Sequence, residues 1–265
     1  MEVIKISSSH NDTLKRWRKL QQSRKERYRR RQLLIEGENL LKEAQLSHCQ
    51  FHAVLCDEQR HLSDEWRDWL KDQAIPVYVL RSSLYRGLME TDTPQGMAAV
   101  IDLPQQAPFK LESRPSLVLL LDRIQDPGNL GTLLRTAVAS GVSFVGLGKG
   151  TVDPFNPKVV RSAAGGIFRI PFEIVDLSEW IPRFRAAGGY VVGTAMHAED
   201  VYYHVHYPEQ VAFVLGNEGH GVTPHLLDMT DRNVRIPLKG EAESLNVSSA
   251  GAVLLYEVVR QCSLR

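Results

Sequence analysis

The sequence contains 265 residues, of which 43% are hydrophobic and 24% are charged, as in a soluble globular protein of one large or two ordinary domains. No apolar stretch approaches the roughly 20 residues that span a bilayer, and the N-terminus lacks a signal-peptide core, so we expect a cytoplasmic protein with no membrane partner. The three cysteines are odd in number and form no CxxC pair, which argues against a disulfide framework and a zinc site.

The formal net charge of +1 conceals a strongly basic N-terminal segment. Residues 1–31 carry eleven Lys and Arg residues against three acidic residues, a net charge of +8, which leaves −7 for the rest of the chain. Trp17 and Tyr28 lie within this segment, and aromatic rings are able to stack on unpaired bases. A solvated helix face is the alternative, but such clustering in an otherwise acidic chain favours nucleic acid. The candidate phosphate-binding residues are Arg16, Arg18, Lys19, Arg24, Arg29 and Arg30.

After the basic helix, the first half of the chain alternates short apolar runs with helical patterns. The predicted strands are 33–37, 52–56, 75–80 and 96–102, and the predicted helices are 38–45, 62–72 and 82–88. This order predicts a small α/β domain of about 100 residues. Three prolines and mixed polar residues then indicate a linker. We therefore place a first domain at 1–103, a linker at 104–115 and a second domain at 116–265.

The second half alternates again. Strands are predicted near 117–121, 143–147, 190–194, 211–215 and 233–236, and helices near 129–140, 157–163, 179–187, 224–230 and 246–261. Continuously apolar strands separated by helices predict a parallel sheet covered on both faces. In such a sheet the ligand is expected beyond the carboxyl ends of the strands, so the loops there are where the chemistry is expected.

One of these loops, after the strand at 117–121, leads into a helix that carries Arg135. None of the residues three or four positions away is a carboxylate, so Arg135 has no local partner on its helix. An arginine that snorkels from the helix edge to water is one interpretation, and a cation kept for a ligand is the other.

A second loop, LGNEGHG at 215–221, follows an apolar strand. Its glycines permit a sharp turn and a close backbone approach to a ligand, and Glu218 adds a carboxylate at the rim. A tight turn without a function uses the same residue types.

A third segment places Ser244 and Asn246 before a helix whose first turns are small. Asn246 is an ordinary N-cap candidate. Capping does not explain the small residues at 248–252, which indicate that another backbone or a cofactor lies against the start of the helix.

Other sites are not expected. GLGKGT at 146–151 lacks the third glycine of a dinucleotide-binding loop, and the sequence has neither a GxSxG elbow nor a Walker loop. His197, His204 and His206 have no fitting carboxylate cluster nearby, so no metal is expected.

Taken together, Asn129-Leu-Gly followed by Arg135, Leu215-Gly-Asn-Glu218-Gly, and Ser244-Leu-Asn246-Val-Ser resemble the three ordered motifs of the SpoU/TrmH family of RNA ribose methyltransferases in the SPOUT superfamily. The resemblance covers about residues 115–261, and the first domain resembles the ribosomal-protein-like substrate-binding domain of rRNA-directed members. It implies a C-terminal α/β knot, a parallel sheet whose C-terminal segment is threaded through a loop to make a trefoil, beside a smaller N-terminal α/β domain. This overrides the general expectation that chains are unknotted.

The resemblance also implies roles in binding S-adenosylmethionine. Gly216, Ile236 and Leu245 would hold this cofactor largely through backbone contacts. The rest of the pocket would be lined by Thr194, Leu215, Asn217, Leu238 and Asn246.

Arg135 matches the catalytic arginine of the family. A role as base is physically awkward for a group whose pKa lies above about 12. We expect Arg135 to bind the adjacent phosphate and to stabilise developing alkoxide character, while Ser244 and Asn246 orient the ribose hydroxyl. Glu218 would orient either Arg135 or Asn129.

Family members are homodimers with active sites at the interface, so we expect a homodimer in which Arg135 acts in its own or in the neighbouring subunit's site. Arg161 and Ser162 are further candidate RNA contacts, although a helix C-terminus ending in two glycines explains that stretch equally well.

The function expected from the resemblance is S-adenosylmethionine-dependent methylation of a ribose 2′-hydroxyl, with 23S rRNA as the favoured substrate. A tRNA enzyme is the nearest alternative. The others are a non-catalytic RNA-binding or ribosome-assembly factor and, more distantly, a small-molecule dehydrogenase.

Overall fold

The computed structural model describes residues 2–89, 91–104, 109–111 and 116–263. The chain forms two compact units, the first made of residues 1–105 and 155–168 and the second of residues 106–154 and 169–265. Within the linker expected at 104–115, residues 105–108 and 112–115 lie outside the described residues. Among the described residues, no helix has the length and apolar character needed to cross a membrane.

The first unit contains a five-stranded mixed sheet. Its strands are β1 (Val3–Ile6), β2 (Gln32–Glu36), β3 (Phe51–Asp57), β4 (Val77–Leu80) and β5 (Met97–Asp102), in the spatial order β1-β4-β3-β5-β2. Its helices include α1 (Asp12–Gln22), α2 (Arg24–Arg30), α3 (Glu38–Leu46), α4 (Asp64–Asp72) and α5 (Ser82–Leu88). Strand β5 runs antiparallel to both of its neighbours, whereas the other pairings are parallel.

The basic N-terminal segment forms two helices because Ser23 interrupts it. Ser23 has an extended backbone, and its hydroxyl caps α2 by accepting a hydrogen bond from the Glu26 N–H. Trp17, which we expected to be available for base stacking, is instead buried, with only 6% of its surface exposed. It packs edge-on against Tyr78 of the sheet, so the prediction for Trp17 is wrong: it is the apolar anchor of an amphipathic helix.

The second unit contains a seven-stranded sheet. Its strands are β6 (Ser116–Leu121), β7 (Phe144–Gly148), β8 (Phe172–Val175), β9 (Tyr190–Thr194), β10 (Asp200–Val201), β11 (Gln210–Leu215) and β12 (Arg232–Arg235). Its helices are α6 (Pro127–Ala139), α9 (Leu177–Ala186), α10 (Pro224–Asp228) and α11 (Val247–Cys262). Between β7 and β8 the chain also forms α7 (Pro157–Ser162) and α8 (Gly166–Arg169), which belong to the first unit except for Arg169. The order is β10-β12-β9-β11-β6-β7-β8 and all pairings are parallel, which confirms the predicted parallel sheet.

Helix α7 belongs to the first unit, although its residues fall within the range expected for the second domain. It packs against β2 of the first sheet, and the ring of Phe155 just before it lies 5.8 Å from that of Tyr28. This segment therefore belongs to the first unit because it packs against β2, although its position in the chain predicts the second domain.

The order of the strands brings the motif loops together. Strands β6 and β11 pair at the centre of the second sheet, with β7 and β8 on one side and β9, β12 and β10 on the other. This is a topological switch point, where loops leaving the carboxyl ends of neighbouring strands enclose a ligand. Helix α11 packs on α6 and β11, and a Cβ at Gly251 would lie 2.6 Å from Leu133 Cδ2. The small residues at the start of α11 thus allow α6 to approach closely.

Candidate active site

Side-chain hydrogen bonds join the three motif loops at the carboxyl edge of the second sheet. Asn129, in the first turn of α6, donates a hydrogen bond of 3.0 Å from Nδ2 to Glu218 Oε1. The Asn129 Oδ1 atom accepts a hydrogen bond of 2.8 Å from Asn246 Nδ2. One amide therefore connects the loop after β6, the loop after β11 and the start of α11. We refer to Asn129, Glu218 and Asn246 as the polar relay.

Glu218 accepts the most hydrogen bonds of the three residues in the polar relay. Besides Asn129, its carboxylate accepts the backbone N–H groups of Asp126, at 3.1 Å, and Gln125, at 3.2 Å. Partial burial is the largest single influence on the pKa of Glu218 and acts to raise it, but the hydrogen bonds from Asn129 and the backbone together outweigh burial. The pKa of Glu218 therefore lies below its ordinary value, and the side chain is ionised at neutral pH.

Asn217 and Gly216 build the turn that presents Glu218. Asn217 Oδ1 accepts two backbone N–H groups of its own turn, and its Nδ2 donates to the Arg123 carbonyl over 2.9 Å. A Cβ at Gly216 would overlap the backbone of Gly221 and Val222, so only glycine allows the loop to fold back on itself. Asn217 uses its oxygen within its own turn and one N–H to fix this turn to the segment after β6, which makes it a residue that shapes the site.

Asn246 caps its helix, as one interpretation of the sequence expected, and it also bonds to the first motif loop. Its Oδ1 atom caps α11 by accepting the Ser248 N–H over 2.9 Å, while its Nδ2 donates to Asn129. An amide nitrogen carries two hydrogens, so one donor of Asn246 remains for a ligand. Ser244, two residues earlier, is exposed and makes no side-chain hydrogen bond within the described residues.

Arg135 is exposed on α6 and forms no hydrogen bond or ion pair with any residue that the structure describes. It lies six residues after Asn129, and at 3.6 residues per turn the two side chains project about 120° apart around the helix axis. Of the two partners considered for Glu218, the structure gives it Asn129 and not Arg135. Arg135 is thus not bound by the polar relay, and no described residue neutralises its positive charge.

A cleft opens at the carboxyl ends of β9 and β12. It encloses about 570 Å³ of empty space, part of it open to solvent. Its walls are formed by Thr194, Ala195, Met196, Val234, Arg235, Ile236, Leu238, Glu243, Ser244, Leu245, Ala250 and Leu254. The segment that forms one wall, 236–245, runs directly into Asn246 of the polar relay. Cleft and relay are therefore parts of one site.

The cleft fits S-adenosylmethionine in its chemistry. No backbone–backbone hydrogen bond involves residues 236–245 in the described part of the chain, so these amide and carbonyl groups remain available to an adenosine. Leu238 and Leu245 are 36% and 40% exposed and offer apolar surface to a base. Glu243 and Arg235 supply one charge of each sign for a ligand that carries ammonium, sulfonium and carboxylate groups.

Four residues expected to bind the cofactor line this cleft, namely Thr194, Ile236, Leu238 and Leu245. The other four do not line it. Leu215 is buried against Gly251, Gly216 and Asn217 form the turn before Glu218, and Asn246 caps α11.

Sequence reasoning missed six residues of the cleft wall, namely Ala195, Met196, Val234, Arg235, Glu243 and Leu254. All but Leu254 lie within two positions of an expected residue, and this proximity is the only signal that the sequence offers for them. Among the described residues, no group of three or more His, Cys, Asp or Glu side chains is placed to hold a metal ion.

Comparison with known proteins assigns this site to a family. Residues 116–256, which contain all three motif loops, match the model of the SpoU rRNA Methylase family. The chain belongs to the SpoU rRNA methylase family. Residues 11–99 match a second model, that of the MRM3-like substrate binding domain.

Several relatives of this SpoU protein match it over almost its whole length. The 23S rRNA (guanosine(2553)-2'-O)-methyltransferase RlmP of Bacillus subtilis is 42% identical over 254 residues, 96% of this chain and 98% of the relative. A solved RNA 2'-O ribose methyltransferase is similar with a TM-score of 0.87 and 30% identity, covering 98% of this chain and 100% of the other. An AdoMet-bound rRNA methyltransferase from Sinorhizobium meliloti has a TM-score of 0.85 and 27% identity, covering 97% and 98%.

These matches confirm the interpretation of the sequence. The chain is an S-adenosylmethionine-dependent RNA ribose 2′-O-methyltransferase of the SpoU family, with an α/β fold and a parallel sheet. The three motifs, each weak alone, identify the family because their order and separations agree with it.

The basic residues of the substrate-binding unit of this SpoU enzyme differ in how freely they are presented. Arg16, Lys19 and Arg24 are exposed, and Arg18 is half-buried. Arg29 and Arg30 both form ion pairs with Glu26, at 2.7 and 3.2 Å. The remaining candidate RNA contact, Arg161, is half-buried in the last turn of α7.

One cation of the basic segment has a structural role. Arg27 is 3% exposed and donates from Nη1 to the carbonyls of Leu20 and Gln21, at the end of α1. It satisfies carbonyl groups that the helix end leaves without an intrahelical donor.

Proposed function

We propose that this SpoU-family enzyme methylates the ribose 2′-hydroxyl of a guanosine in 23S rRNA. The observation that carries the proposal is the polar relay, which joins the three motif loops beside the cleft. The choice of 23S rRNA and guanosine is supported by the 42% identity to RlmP, whose name states both, and by the MRM3-like substrate binding domain of the first unit.

S-adenosylmethionine supplies an electrophilic methyl group when bound, and the residues of the chain must bring a ribose oxygen to it. Thr194, Ile236, Leu238 and Leu245 would hold the cofactor. Methyl transfer needs the attacking oxygen in line at about 3 Å, so orientation of the hydroxyl is the main task of the protein. The Ser244 hydroxyl, which lines the cleft, and the remaining donor of Asn246 would do this.

Arg135 would bind the phosphate next to the target ribose and stabilise the negative charge that develops on the attacking oxygen. A guanidinium offers five donors in a fixed fork, and a partner-free Arg135 has all of them to give. The proposed reaction uses no metal ion.

We further infer that the enzyme acts as a homodimer and that Arg135 serves the cleft of the neighbouring subunit. Support comes from its exposed position and from the angle of about 120° that separates it from Asn129 around α6. Mixing an Arg135→Ala subunit with a Leu245→Glu subunit tests this. If Arg135 acts across the interface, heterodimers regain one working site and activity returns; if it acts within its own subunit, the mixture stays inactive.

We also infer that the C-terminal segment forms a trefoil knot and that the enzyme is cytoplasmic. The packing of α11 on α6 and β11, elements that precede it by over 30 residues, supports a threaded C-terminus. An rRNA substrate and three cysteines that are all free thiols support the location.

The experiment that tests the substrate is methyl transfer from labelled S-adenosylmethionine to separate pools of unmodified 23S rRNA, 16S rRNA and tRNA. We expect label in 23S rRNA alone. Label only in tRNA would assign the enzyme to the tRNA class. Cofactor binding without label in any pool would favour a ribosomal particle as the substrate.

A further inference from the structure

The first unit contains a recess that the site described above does not include. It lies between α1, the end of α2 and the sheet, and it encloses about 590 Å³ of empty space, part of it open to solvent. Its floor is apolar and buried, with Trp17, Leu20 and Val100 exposed by 6%, 2% and 2%. The half-buried ring of Tyr78 forms one wall, held edge-on by Trp17 at a centroid distance of 4.9 Å.

The rim of the recess is cationic. Arg16 from α1 and Arg30 from α2 both line it. Arg16 is anchored by a hydrogen bond of 2.7 Å from Nη2 to Thr13 Oγ1, and Arg30 by a bond of 3.2 Å from Nε to Glu26 Oε2. Within the described chain, the other N–H groups of the two guanidinium groups form no hydrogen bonds. Each guanidinium is therefore positioned by one contact and has several N–H groups left to donate to a ligand.

The rim also carries neutral hydrogen-bonding groups. Gln32, the first residue of β2, lines the recess with an amide that both donates and accepts. His52 lines it from β3, and its Nε2 lies 2.6 Å from Asp102 Oδ1, which fixes the plane of the imidazole. These groups surround an apolar floor, in the manner of a site for a flat heterocycle with polar edges.

This combination suits a nucleobase with its phosphates. Proteins read single-stranded RNA by placing unstacked bases against aromatic side chains and bonding their edges, while arginines hold the backbone. The recess encloses about as much empty space as the cofactor cleft, 590 against 570 Å³, so it has room for one ring system with the ribose and phosphates at the rim. A free anion would bind the arginines but leave the half-buried ring of Tyr78 without a stacking partner.

We propose that this recess, here called the base recess, binds one unpaired base of the RNA substrate, with Arg16 and Arg30 on the flanking phosphates. The proposal rests on the proposed function in that the RNA is the substrate of the methyl transfer. The base recess would thereby let the first unit bind one nucleotide of the RNA specifically, in addition to the general electrostatic attraction between RNA and the basic segment.

The test compares pairs of variants in the full-length protein. Arg16→Gln removes a cation of the base recess, and Lys25→Gln removes an exposed cation of α2 that does not line it. Gln32→Ala removes a neutral amide of the recess, and Gln22→Ala removes an exposed amide outside it. Each variant is measured for KM and kcat with unmodified 23S rRNA, for the Kd of S-adenosylmethionine and for its thermal unfolding midpoint.

We expect Arg16→Gln to raise the KM for RNA about tenfold and Gln32→Ala about fivefold, as loss of a charged and a neutral hydrogen bond predicts. We expect kcat, cofactor affinity and unfolding midpoint to stay unchanged. Both control variants should change KM by less than about twofold, since exposed cations away from a specific contact add only diffuse attraction.

Two outcomes would overturn the base recess while leaving the proposed function intact. Equal weakening of RNA binding by Arg16→Gln and Lys25→Gln, with no effect of Gln32→Ala, would mean that the region attracts RNA only through its general positive charge. Unchanged KM in all four variants would place the RNA elsewhere. If the wild-type enzyme methylates no RNA, the proposed function fails, and direct binding of 23S rRNA fragments to the same four variants still tests the recess.

Discussion

Truncating Glu218 tests the polar relay most sharply, because its carboxylate accepts hydrogen bonds from three donors. The Oε1 atom serves Asn129 and the Asp126 N–H, and Oε2 serves the Gln125 N–H. Glutamine at this position keeps an acceptor for the first two donors and loses only the third. Alanine loses all three. The two substitutions therefore remove different fractions of one network.

The expected magnitudes follow from this count. Water reaches these donors after truncation, so each bond is worth about 0.5 kcal/mol, the lower end of the usual range. The Glu218→Ala variant then loses about 1.5 kcal/mol of loop positioning and Glu218→Gln about 0.5 kcal/mol. If the loops must hold their positions in the transition state, kcat falls about tenfold for alanine and about twofold for glutamine.

Steady-state methylation of 23S rRNA measures these rates, with cofactor Kd measured in parallel. Glu218 does not line the cleft, so we expect unchanged cofactor affinity. The matched control is Glu209→Ala, an exposed glutamate directly before β11 instead of after it, and it should retain full activity. Wild-type kcat in Glu218→Ala, or an equal effect of the two substitutions, would refute the reasoning.

The hydrogen bonds to Glu218 also predict that the stability of the protein depends on pH. The pKa of Glu218 is lower in the folded protein than in the unfolded chain. Its contribution to stability is therefore complete above the unfolded pKa and is lost as the pH falls through the lower, folded value. Chemical denaturation should show a constant stability difference between wild type and Glu218→Gln at neutral pH, which shrinks only in acid below the ordinary glutamate range.

The remaining predictions concern Arg135, Asn246 and Gly251. Arg135→Lys keeps the charge but not the fork, so we expect kcat to fall about 10²–10³-fold with cofactor Kd and unfolding midpoint unchanged; wild-type turnover would contradict this role. Asn246→Ala loses the cap and the bond to Asn129 and should cost about 1 kcal/mol in urea unfolding, whereas Asn246→Asp should keep the cap and still lose activity. Gly251→Val would press on Leu133 and should lower the free energy of unfolding by about 1–3 kcal/mol; an unchanged midpoint would show that α6 and α11 are less closely packed.

The sequence predicts the central strands well because burial leaves a clear pattern in them. Strands β6 and β11 lie at the centre of the second sheet and read as continuous apolar runs. The strands that the sequence does not predict, β1, β8 and β10, all lie at sheet edges. Edge strands are short and partly exposed, so their residues carry neither continuous hydrophobicity nor clear turn signals.

The site was only partly predictable for a different reason. The position of each motif after a strand predicts that the loops gather at one edge, as they do. The sequence cannot show that Asn129 bonds to Asn246, 117 positions later, because such contacts depend on strand order. Trp17 was misjudged because an aromatic residue in a basic amphipathic helix fits both a core and a surface, and only packing decides between them.

The most direct test of the central claim is the identity of the methylated nucleoside. Unmodified 23S rRNA is incubated with the enzyme and labelled S-adenosylmethionine, digested with nucleases and analysed by mass spectrometry. The account predicts label on the ribose, in 2′-O-methylguanosine, in the wild-type reaction and not with Arg135→Ala. Label on a base, or undiminished ribose label from Arg135→Ala, would contradict the site and the role assigned to Arg135.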